Sequence, residues 1–281
     1  MMKTNVLKLL TALVSVLICS LFFTLSSYAE EKQLLLATTT STDNTGLLDY
    51  LAPKFTKATG IELKWVATGT GKALKLGENC DADVLLVHAP SSEKKYVEQG
   101  FGINRRELMY NDFVIIGPAT DPAAVKEKEL SLALQSIRDK EALFVSRGDN
   151  SGTNKKEISL WKEALSAVPE KQSWYLQTGQ GMLATINVAV ERNGYTMTDR
   201  GTYIKYEANH KGNPLLVVLV EGDKILFNQY SVLEVNPERC PTVKNDLAKQ
   251  FSDWMAGAEA QKAIGDFRLM DKQLFTPNAA K

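Results

Sequence analysis

Short apolar runs alternate with segments of helical spacing along most of the chain. The runs QLLLA (33–37) and IELKWVA (61–67) predict strands, and residues 46–55 between them place four large apolar side chains at helical spacing. The runs NDFVIIGP (111–118) and ALFVSR (142–147) predict further strands, the second of which is followed by a helix. Strands that alternate with helices predict an α/β architecture with largely parallel sheets.

Two successive strands are predicted in the second half of the chain, at LLVVLV (215–220) and KILFNQYSVLEV (224–235). Glu221-Gly222-Asp223 between them is typical of a hairpin turn. No repeat, low-complexity tract or flexible linker divides the chain, so two lobes would have to be joined by strands that cross between them. The best candidates are residues 111–118, which would lead from the first lobe to the second, and residues 215–235, which would lead back to the first.

The first 29 residues have the three parts of a secretory signal. Two lysines precede an apolar run of 17 residues, and the small residues Ser27 and Ala29 are placed for cleavage after Ala29. A membrane anchor is the alternative, but the run is short for a membrane-spanning helix and no stop-transfer pattern follows it. We therefore expect an exported, soluble protein.

Cleavage after Ala29 would leave 252 of the 281 residues, with 31 basic and 33 acidic side chains. That length fits one large domain or two of about 120 residues each. The lack of a basic excess argues against nucleic acid as a partner, and no cationic amphipathic segment indicates a membrane surface. An anion bound by this chain would therefore have to be held by local groups.

Several strand-to-helix connections are rich in hydroxyl groups and glycine. They are TTTST (38–42), TGTG (68–71), SRGDNSGT (146–153) and TGQGMLAT (178–185). Open α/β sheets bind ligands at the carboxyl ends of their strands, where helix N-termini offer unpaired N–H groups and a partial positive charge. Serine and threonine add O–H donors, and glycine permits close approach. One such loop is ordinary turn and cap chemistry, but four together predict a site for an oxyanion.

Signatures of other kinds of site are weak. GQGMLA (179–184) matches a dinucleotide-binding pattern that says little alone, and ATGTGKAL (67–74 with Val66 before it) lacks the first glycine of a P-loop. His88 and His210 are the only histidines and are not at metal-ligand spacing, so we expect packing or surface roles for both. No general base or nucleophile stands beside the loops, which argues against the alternative of a secreted enzyme acting on a phosphorylated or sulfated molecule.

Two cysteines, Cys80 and Cys240, would remain after cleavage. In an oxidising compartment they could form one disulfide, which would hold an early segment of the chain against one near its end. Two separate free thiols are the equal alternative.

The order and composition of the motifs resemble one family. ATTTSTDNTGLLDYLAPKF (37–55), VATGTGKAL (66–74), FVSRGDNSGTNKKE (144–157) and YTMTDRGTY (195–203) follow one another as they do in periplasmic tungstate-binding proteins of ABC transporters. The resemblance spans residues 31 to about 270. It implies a type II periplasmic-binding-protein fold of two lobes, each a mainly parallel sheet flanked by helices.

The resemblance also implies domain boundaries and a function. After a signal peptide at 1–29, lobe 1 would comprise residues 30–113 and 226–281, and lobe 2 residues 114–225. The lobes would close on one tetrahedral oxyanion, tungstate or molybdate, and the protein would deliver it to the permease of an ABC transporter and its ATPase. No cofactor, protein-ligated metal, nucleic acid or enzymatic activity is implied, and we expect a periplasmic monomer.

Carried over position by position, the anion site would consist of Thr40, Ser41, Thr70, Arg147, Ser151 and Thr153. Asp149 would support Arg147 or cap the following helix. Tungstate and molybdate carry no proton at neutral pH, so their site needs donors and no acceptor, whereas phosphate keeps a proton. A phosphate- or sulfate-binding protein of the same fold stays an alternative, because all these anions are tetrahedral and similar in charge.

Overall fold

The computed structural model describes residues 32–280, which form strands and helices in alternation. The helices are α1 (Thr40–Asp43), α2 (Leu47–Thr59), α3 (Thr70–Glu78), α4 (Pro90–Glu98), α5 (Leu130–Asp139), α6 (Gly152–Leu165), α7 (Met182–Glu191), α8 (Arg200–Asn209), α9 (Asn245–Ala256) and α10 (Ala258–Asp266). The strands are β1 (Gln33–Thr39), β2 (Glu62–Thr68), β3 (Val84–Val87), β4 (Gly102–Pro118), β5 (Phe144–Ser146), β6 (Tyr175–Gln177), β7 (Thr196–Asp199), β8 (Leu216–Val220), β9 (Phe227–Val235), β10 (Arg268–Leu269), β11 (Lys272–Gln273) and β12 (Thr276–Pro277).

The strands β2, β1 and β3 lie side by side and parallel. Thr39 is paired with Thr68, and Thr38 with Leu86, so the three strands end at the same edge. β9 adds to β3 in the antiparallel direction, β4 to β9, and β12 to β4. All four residues of β3 are buried, as expected for a strand covered on both faces.

The long strand β4 changes partners along its length. Residues 102–112 pair with β9, whereas residues 113–116 pair with β7 and residues 115–118 with β8, all antiparallel. β5 and β6 form a separate parallel pair, which a bridge between Phe144 and Tyr195 connects to the start of the β7 segment. The segment predicted to cross between lobes is thus the second half of one continuous strand.

The hairpin predicted around Glu221-Gly222-Asp223 is wrong. Within residues 32–280, β8 and β9 both pair with β4 and not with each other. The Asp223 carboxylate accepts a hydrogen bond from the Ile225 N–H at 3.1 Å and begins a 3-10 turn over Lys224–Leu226. This turn separates the two strands, so β9 starts only at Phe227.

Buried apolar side chains form four clusters that follow the change of partners along β4. Two clusters draw on residues 34–109 and 230–275, and two draw on residues 113–226. The exception is Ile204 on α8, which packs into the first group. Helix α8 therefore contacts both groups.

Cys80 and Cys240 form a disulfide, which decides between the two alternatives that the sequence left open. Cys80 follows α3, and Cys240 lies between β9 and α9. The bond joins positions 160 residues apart, and Cys240 is 1% exposed. It ties an early segment to a late one, as the first alternative supposed.

The predicted signal peptide, residues 1–29, lies outside the described residues. Among residues 32–280, no helix is long and apolar enough to cross a membrane.

Candidate functional site

Residues with hydrogen-bond donors lie at one edge of the sheet, where β1, β2 and β3 end. Because these strands are parallel and in register, Thr40, Thr70 and His88 follow strand ends that are neighbours. The first two residues each begin a helix, α1 at Thr40 and α3 at Thr70. This is the edge at which open α/β sheets bind ligands.

Three polar atoms form a triangle at this edge. Thr39 Oγ1, Ser41 Oγ and His88 Nε2 lie 3.0 Å from one another. Thr39 also caps α1, since its hydroxyl oxygen accepts the Thr42 N–H at 3.2 Å and lies 2.7 Å from Thr42 Oγ1. Thr39 is buried and Ser41 half-buried, so Ser41 is the hydroxyl of the triangle that is open to a ligand.

The imidazole of His88 is held from its other side. Nδ1 lies 2.9 Å from Asn228 Oδ1, and the Asn228 amide donates to Asn111 Oδ1 at 2.8 Å. The ring stacks on Tyr230 with 4.7 Å between centroids. Burial lowers the pKa of His88 below its usual value, although the bond to Asn228 and the negative charge of Asp199 act in the opposite direction. His88 is therefore neutral at neutral pH.

We call the residues at the ends of β1, β2 and β3 the first wall of the site. The second wall consists of residues 147–153, which follow β5 and lead into α6. The Arg147 guanidinium donates Nε and Nη2 to Asp149 Oδ2 at 3.1 and 2.5 Å, and Asp149 Oδ1 accepts the Ser151 N–H at 3.2 Å. Burial alone would raise the pKa of Asp149, but the hydrogen bonds from Ser151 and Arg147 outweigh it and hold that pKa below its usual value. Asp149 thus supports Arg147, which is the first of the two roles expected from the sequence, whereas the cap of α6 is Ser151.

The backbone around Arg147 is also fixed from the loop after β6. The Arg147 carbonyl accepts hydrogen bonds from the Gly179 N–H at 2.8 Å and the Thr178 hydroxyl at 3.2 Å. Gly148 has φ of +60°, and a Cβ placed there would lie 2.8 Å from the Cβ of Gln177. Glycine is therefore required at position 148 both by its left-handed backbone and by the close approach of β6.

Helix α6 brings this wall to the first one. Ser151 caps the helix by accepting the Asn154 N–H at 3.3 Å. A Cβ added to Gly152 would lie 4.0 Å from His88 Cε1, so the first turn of α6 faces the triangle. In the part of the chain that the structure describes, the N–H groups of Gly152 and Thr153 have no partner, as is usual at a helix start.

A buried carboxylate holds α6 in place beneath this turn. Glu157 accepts hydrogen bonds from Ser146, Trp161 and Tyr175 at 2.5, 3.1 and 2.6 Å, and a longer one from Asn154 at 3.5 Å. Burial is the largest influence on Glu157 and raises its pKa. The helix start is therefore anchored to the end of β5 by side chains rather than by loop backbone alone.

The structure connects three of the six predicted site residues. Ser41 Oγ lies at hydrogen-bond distance from His88 Nε2, and His88 lies beside the first turn of α6. Ser151, at the start of α6, donates its N–H to Asp149, which also accepts hydrogen bonds from Arg147. The side chains of the other three make no hydrogen bond within residues 32–280. These are Thr40, Thr70 and Thr153, of which Thr40 is exposed and the others are half-buried.

His88 is the residue that sequence reasoning missed. It was expected to have a packing or surface role, and the structure instead places it between the two walls. The available signal was its position directly after the strand VLLV, at the same sheet edge as the TTTST loop. The partners that fix its role, Asn228 and Tyr230, lie about half the chain away and gave no local signal.

The chemistry of this arrangement is that of hydrogen-bond donation. Hydroxyl groups, unpaired N–H groups at a helix start and one guanidinium point to an anion without protons as the ligand. Among residues 32–280, no three His, Cys, Asp or Glu side chains are grouped so that they could hold a metal ion.

Comparison with known proteins gives one consistent family. Residues 26–259 match the model of the PBP superfamily domain. The tungstate-binding protein TupA of Campylobacter jejuni is 53% identical over 239 residues, which cover 85% of this chain and 88% of that protein.

Two solved structures agree with that match. The tungstate-binding protein TupA from Desulfovibrio alaskensis G20 is 68% identical, with a TM-score of 0.87, and the match covers 89% of this chain and all of that one. The tungstate ABC transporter structure from Geobacter sulfurreducens is 47% identical, with a TM-score of 0.73 and coverage of 84% and 99%. These matches confirm the fold class and the resemblance found in the sequence: the chain belongs to the PBP superfamily and, within it, to the family of tungstate-binding proteins.

Proposed function

We propose that this protein is an extracytoplasmic solute-binding protein that captures tungstate or molybdate for an ABC transporter. The observation that carries the proposal is the meeting of two donor-rich walls at His88, one from the end of β1 and one from the start of α6. The names of the relatives, which are tungstate-binding proteins, supply the identity of the anion.

We assign the first contacts with the anion to Thr40, Ser41, Thr70, Arg147, Ser151 and Thr153. Thr40, Thr70 and Thr153 are suited to this because their hydroxyl groups have no partner among the described residues. Arg147 supplies the positive charge. Asp149 accepts hydrogen bonds from Nε and Nη2 of Arg147, so the Nη1 group of Arg147 is available to the ligand. Ser41 and Ser151 stand at the two walls and are already engaged in caps or in the triangle.

The number of donors is sufficient for tight binding. Hydrogen bonds to a charged group contribute about 1.5–3 kcal/mol each, so about six of them would contribute on the order of 10–18 kcal/mol. Nanomolar affinity corresponds to about 12 kcal/mol, which leaves room for the cost of removing the dianion from water. A dianion bridged by both walls would also favour the closed arrangement of the protein.

We propose that the two walls belong to two lobes, residues 30–113 with 226–281 and residues 114–225. The change of partners along β4 supports this division, since Asp112 still pairs with Phe227 of β9 and Phe113 already pairs with Asp199 of β7. The position of the buried clusters supports it as well.

The remaining parts of the proposal concern the setting of the protein. A periplasmic location after removal of residues 1–29, and delivery to a permease and its ATPase, fit a relative that is described as a tungstate ABC transporter. A monomeric carrier without enzymatic activity or cofactor fits relatives that are named for binding.

Calorimetry of the purified protein with tungstate, molybdate, sulfate and phosphate tests the function. We expect one binding site and the highest affinity for tungstate, with sulfate and phosphate weaker, because the relatives are named for binding tungstate. Tighter binding of sulfate or phosphate than of tungstate would contradict the proposal.

A further inference from the structure

The hydrogen atoms in the triangle of Thr39, Ser41 and His88 can be counted. Each hydroxyl carries one hydrogen, and a neutral imidazole carries one hydrogen on only one of its two nitrogens. Asn228 decides which nitrogen that is: its amide nitrogen donates to Asn111, so its oxygen faces His88 Nδ1 and accepts the hydrogen from there. His88 Nε2 therefore has no hydrogen and must accept one from a hydroxyl.

Neutral His88 consequently consumes a hydroxyl donor. Thr39 Oγ1 also lies 2.7 Å from Thr42 Oγ1, and when Thr39 donates its hydrogen there, Ser41 is the hydroxyl that is directed at Nε2. Ser41 can then donate to a ligand only by breaking its hydrogen bond to His88 Nε2. A neutral His88 ring therefore reduces by one the number of hydrogen bonds that the site can donate to an anion.

Resting on the function proposed above, we propose that His88 takes up a proton when the oxyanion binds, so that Nε2 becomes a donor and the Ser41 hydroxyl is released to donate to the anion. His88 is then a positioning residue for Ser41 and adds positive charge beside the ligand. One proton changes one acceptor into one donor, so the site gains one outward-directed hydrogen bond.

The groups around the ring are arranged for such a change. Asp199, at the start of α8, is the charged group that acts on His88, and its negative charge favours the protonated ring. Tyr230 on β9 stacks on the ring, and burial raises its pKa, so it stays neutral. Asn228 accepts from Nδ1 in both states of the ring. Burial opposes protonation while the site is empty, and a dianion close to the ring would favour it.

Proton uptake makes the affinity for tungstate depend on pH. Below the pKa of His88 in the empty protein, the ring is protonated with or without ligand and the affinity is constant. Between that pKa and the higher one in the complex, the affinity falls by up to about tenfold for each unit that the pH rises. Tungstate itself carries no proton in this range, so the dependence reports on the protein.

Nuclear magnetic resonance of the two histidine rings tests the proposal without any change to the site. The chain has only His88 and His210, and His210 bonds the Tyr206 carbonyl at the end of α8, away from the triangle. The variant His210→Gln assigns the signals. We expect the midpoint of the His88 titration to rise by at least one pH unit when tungstate is added, and the His210 signals not to respond to tungstate. Equal His88 midpoints with and without tungstate would overturn the proposal.

Calorimetry separates this result from the function itself. In MOPS and Tris buffers at the same pH, unmodified protein and His210→Gln should take up a fraction of a proton per tungstate bound, and His88→Gln should take up none. Tight tungstate binding without proton uptake would refute the role of His88 and leave the proposed function standing. Absence of tungstate binding would refute the proposed function, and the role of His88 with it. If His88→Gln fails to fold, the resonance titration of the unmodified protein decides the question.

Discussion

Replacement of Arg147 by alanine is the most informative change at the proposed anion site. The Arg147 side chain is 18% exposed, and Asp149 occupies its Nε and Nη2 groups. Within residues 32–280, Nη1 makes no hydrogen bond, so it is the group available to the anion. Alanine removes this donor and the positive charge, and it leaves the Asp149 carboxylate without its ion-pair partner.

The expected loss follows from these contacts. Two charge-assisted hydrogen bonds from Nη1 at about 1.5–3 kcal/mol each give a loss of about 3–6 kcal/mol, and the uncompensated charge of Asp149 adds repulsion of the same sign. This corresponds to a dissociation constant at least about a hundredfold higher. The fold should remain, because Asp149 still accepts the Ser151 N–H and the cap of α6 is untouched.

Arg138→Ala provides a matched control. Arg138 pairs with the neighbouring Asp139 at 2.7 Å in the same manner, but it lies on α5 and is 46% exposed. Calorimetry with tungstate should show little change for Arg138→Ala and a large loss for Arg147→Ala, with both variants folded by circular dichroism. A folded Arg147→Ala protein that retains affinity within about threefold of the unmodified protein would show that the anion is held elsewhere.

Three further outcomes concern the frame of the site. Replacing both Cys80 and Cys240 by serine should reduce the free energy of unfolding by up to about 5 kcal/mol, since the disulfide closes a loop of 160 positions. Thermal denaturation measures this loss, and an unchanged Tm would contradict the prediction. Glu157→Gln should reduce the free energy of unfolding by about 1–3 kcal/mol, because all four partners of Glu157 donate hydrogen bonds and an amide N–H₂ would face one of them. Glu163 is exposed on the same helix, so Glu163→Gln should leave the free energy of unfolding almost unchanged. Equal losses in the two variants would contradict the prediction. Because the pKa of His88 is lowered in the folded protein, the empty protein should lose stability as the pH falls below about 6.5, and denaturant titrations of His88→Gln should lack this component.

Much of the fold could be predicted because it depends on local pattern. Apolar runs and helical spacing gave the strands and helices around the TTTST and SRGDNSGT loops. The TTTST loop differs in detail, since its second half is the short helix α1 capped by Thr39. The family could be found because its motifs are continuous stretches of sequence.

The rest depends on contacts between distant parts of the chain. The hairpin prediction failed because the turn at Asp223 is compatible with both a hairpin and a 3-10 turn, and the choice is made by β4, which pairs with both strands. The role of His88 was missed because strand register brings it beside Ser41 and because Asn228, 140 positions away, fixes its hydrogen atoms. Neither relation leaves a mark near His88 in the sequence.

The most direct measurement of the central claim is an anomalous diffraction map at the tungsten absorption edge, from crystals of the protein grown with tungstate. We expect one strong peak between the start of α6 and the triangle of Thr39, Ser41 and His88, with anion oxygens within about 3 Å of Ser41 Oγ and the Arg147 guanidinium. A strong peak at any other place in the molecule, with this position empty, would contradict it.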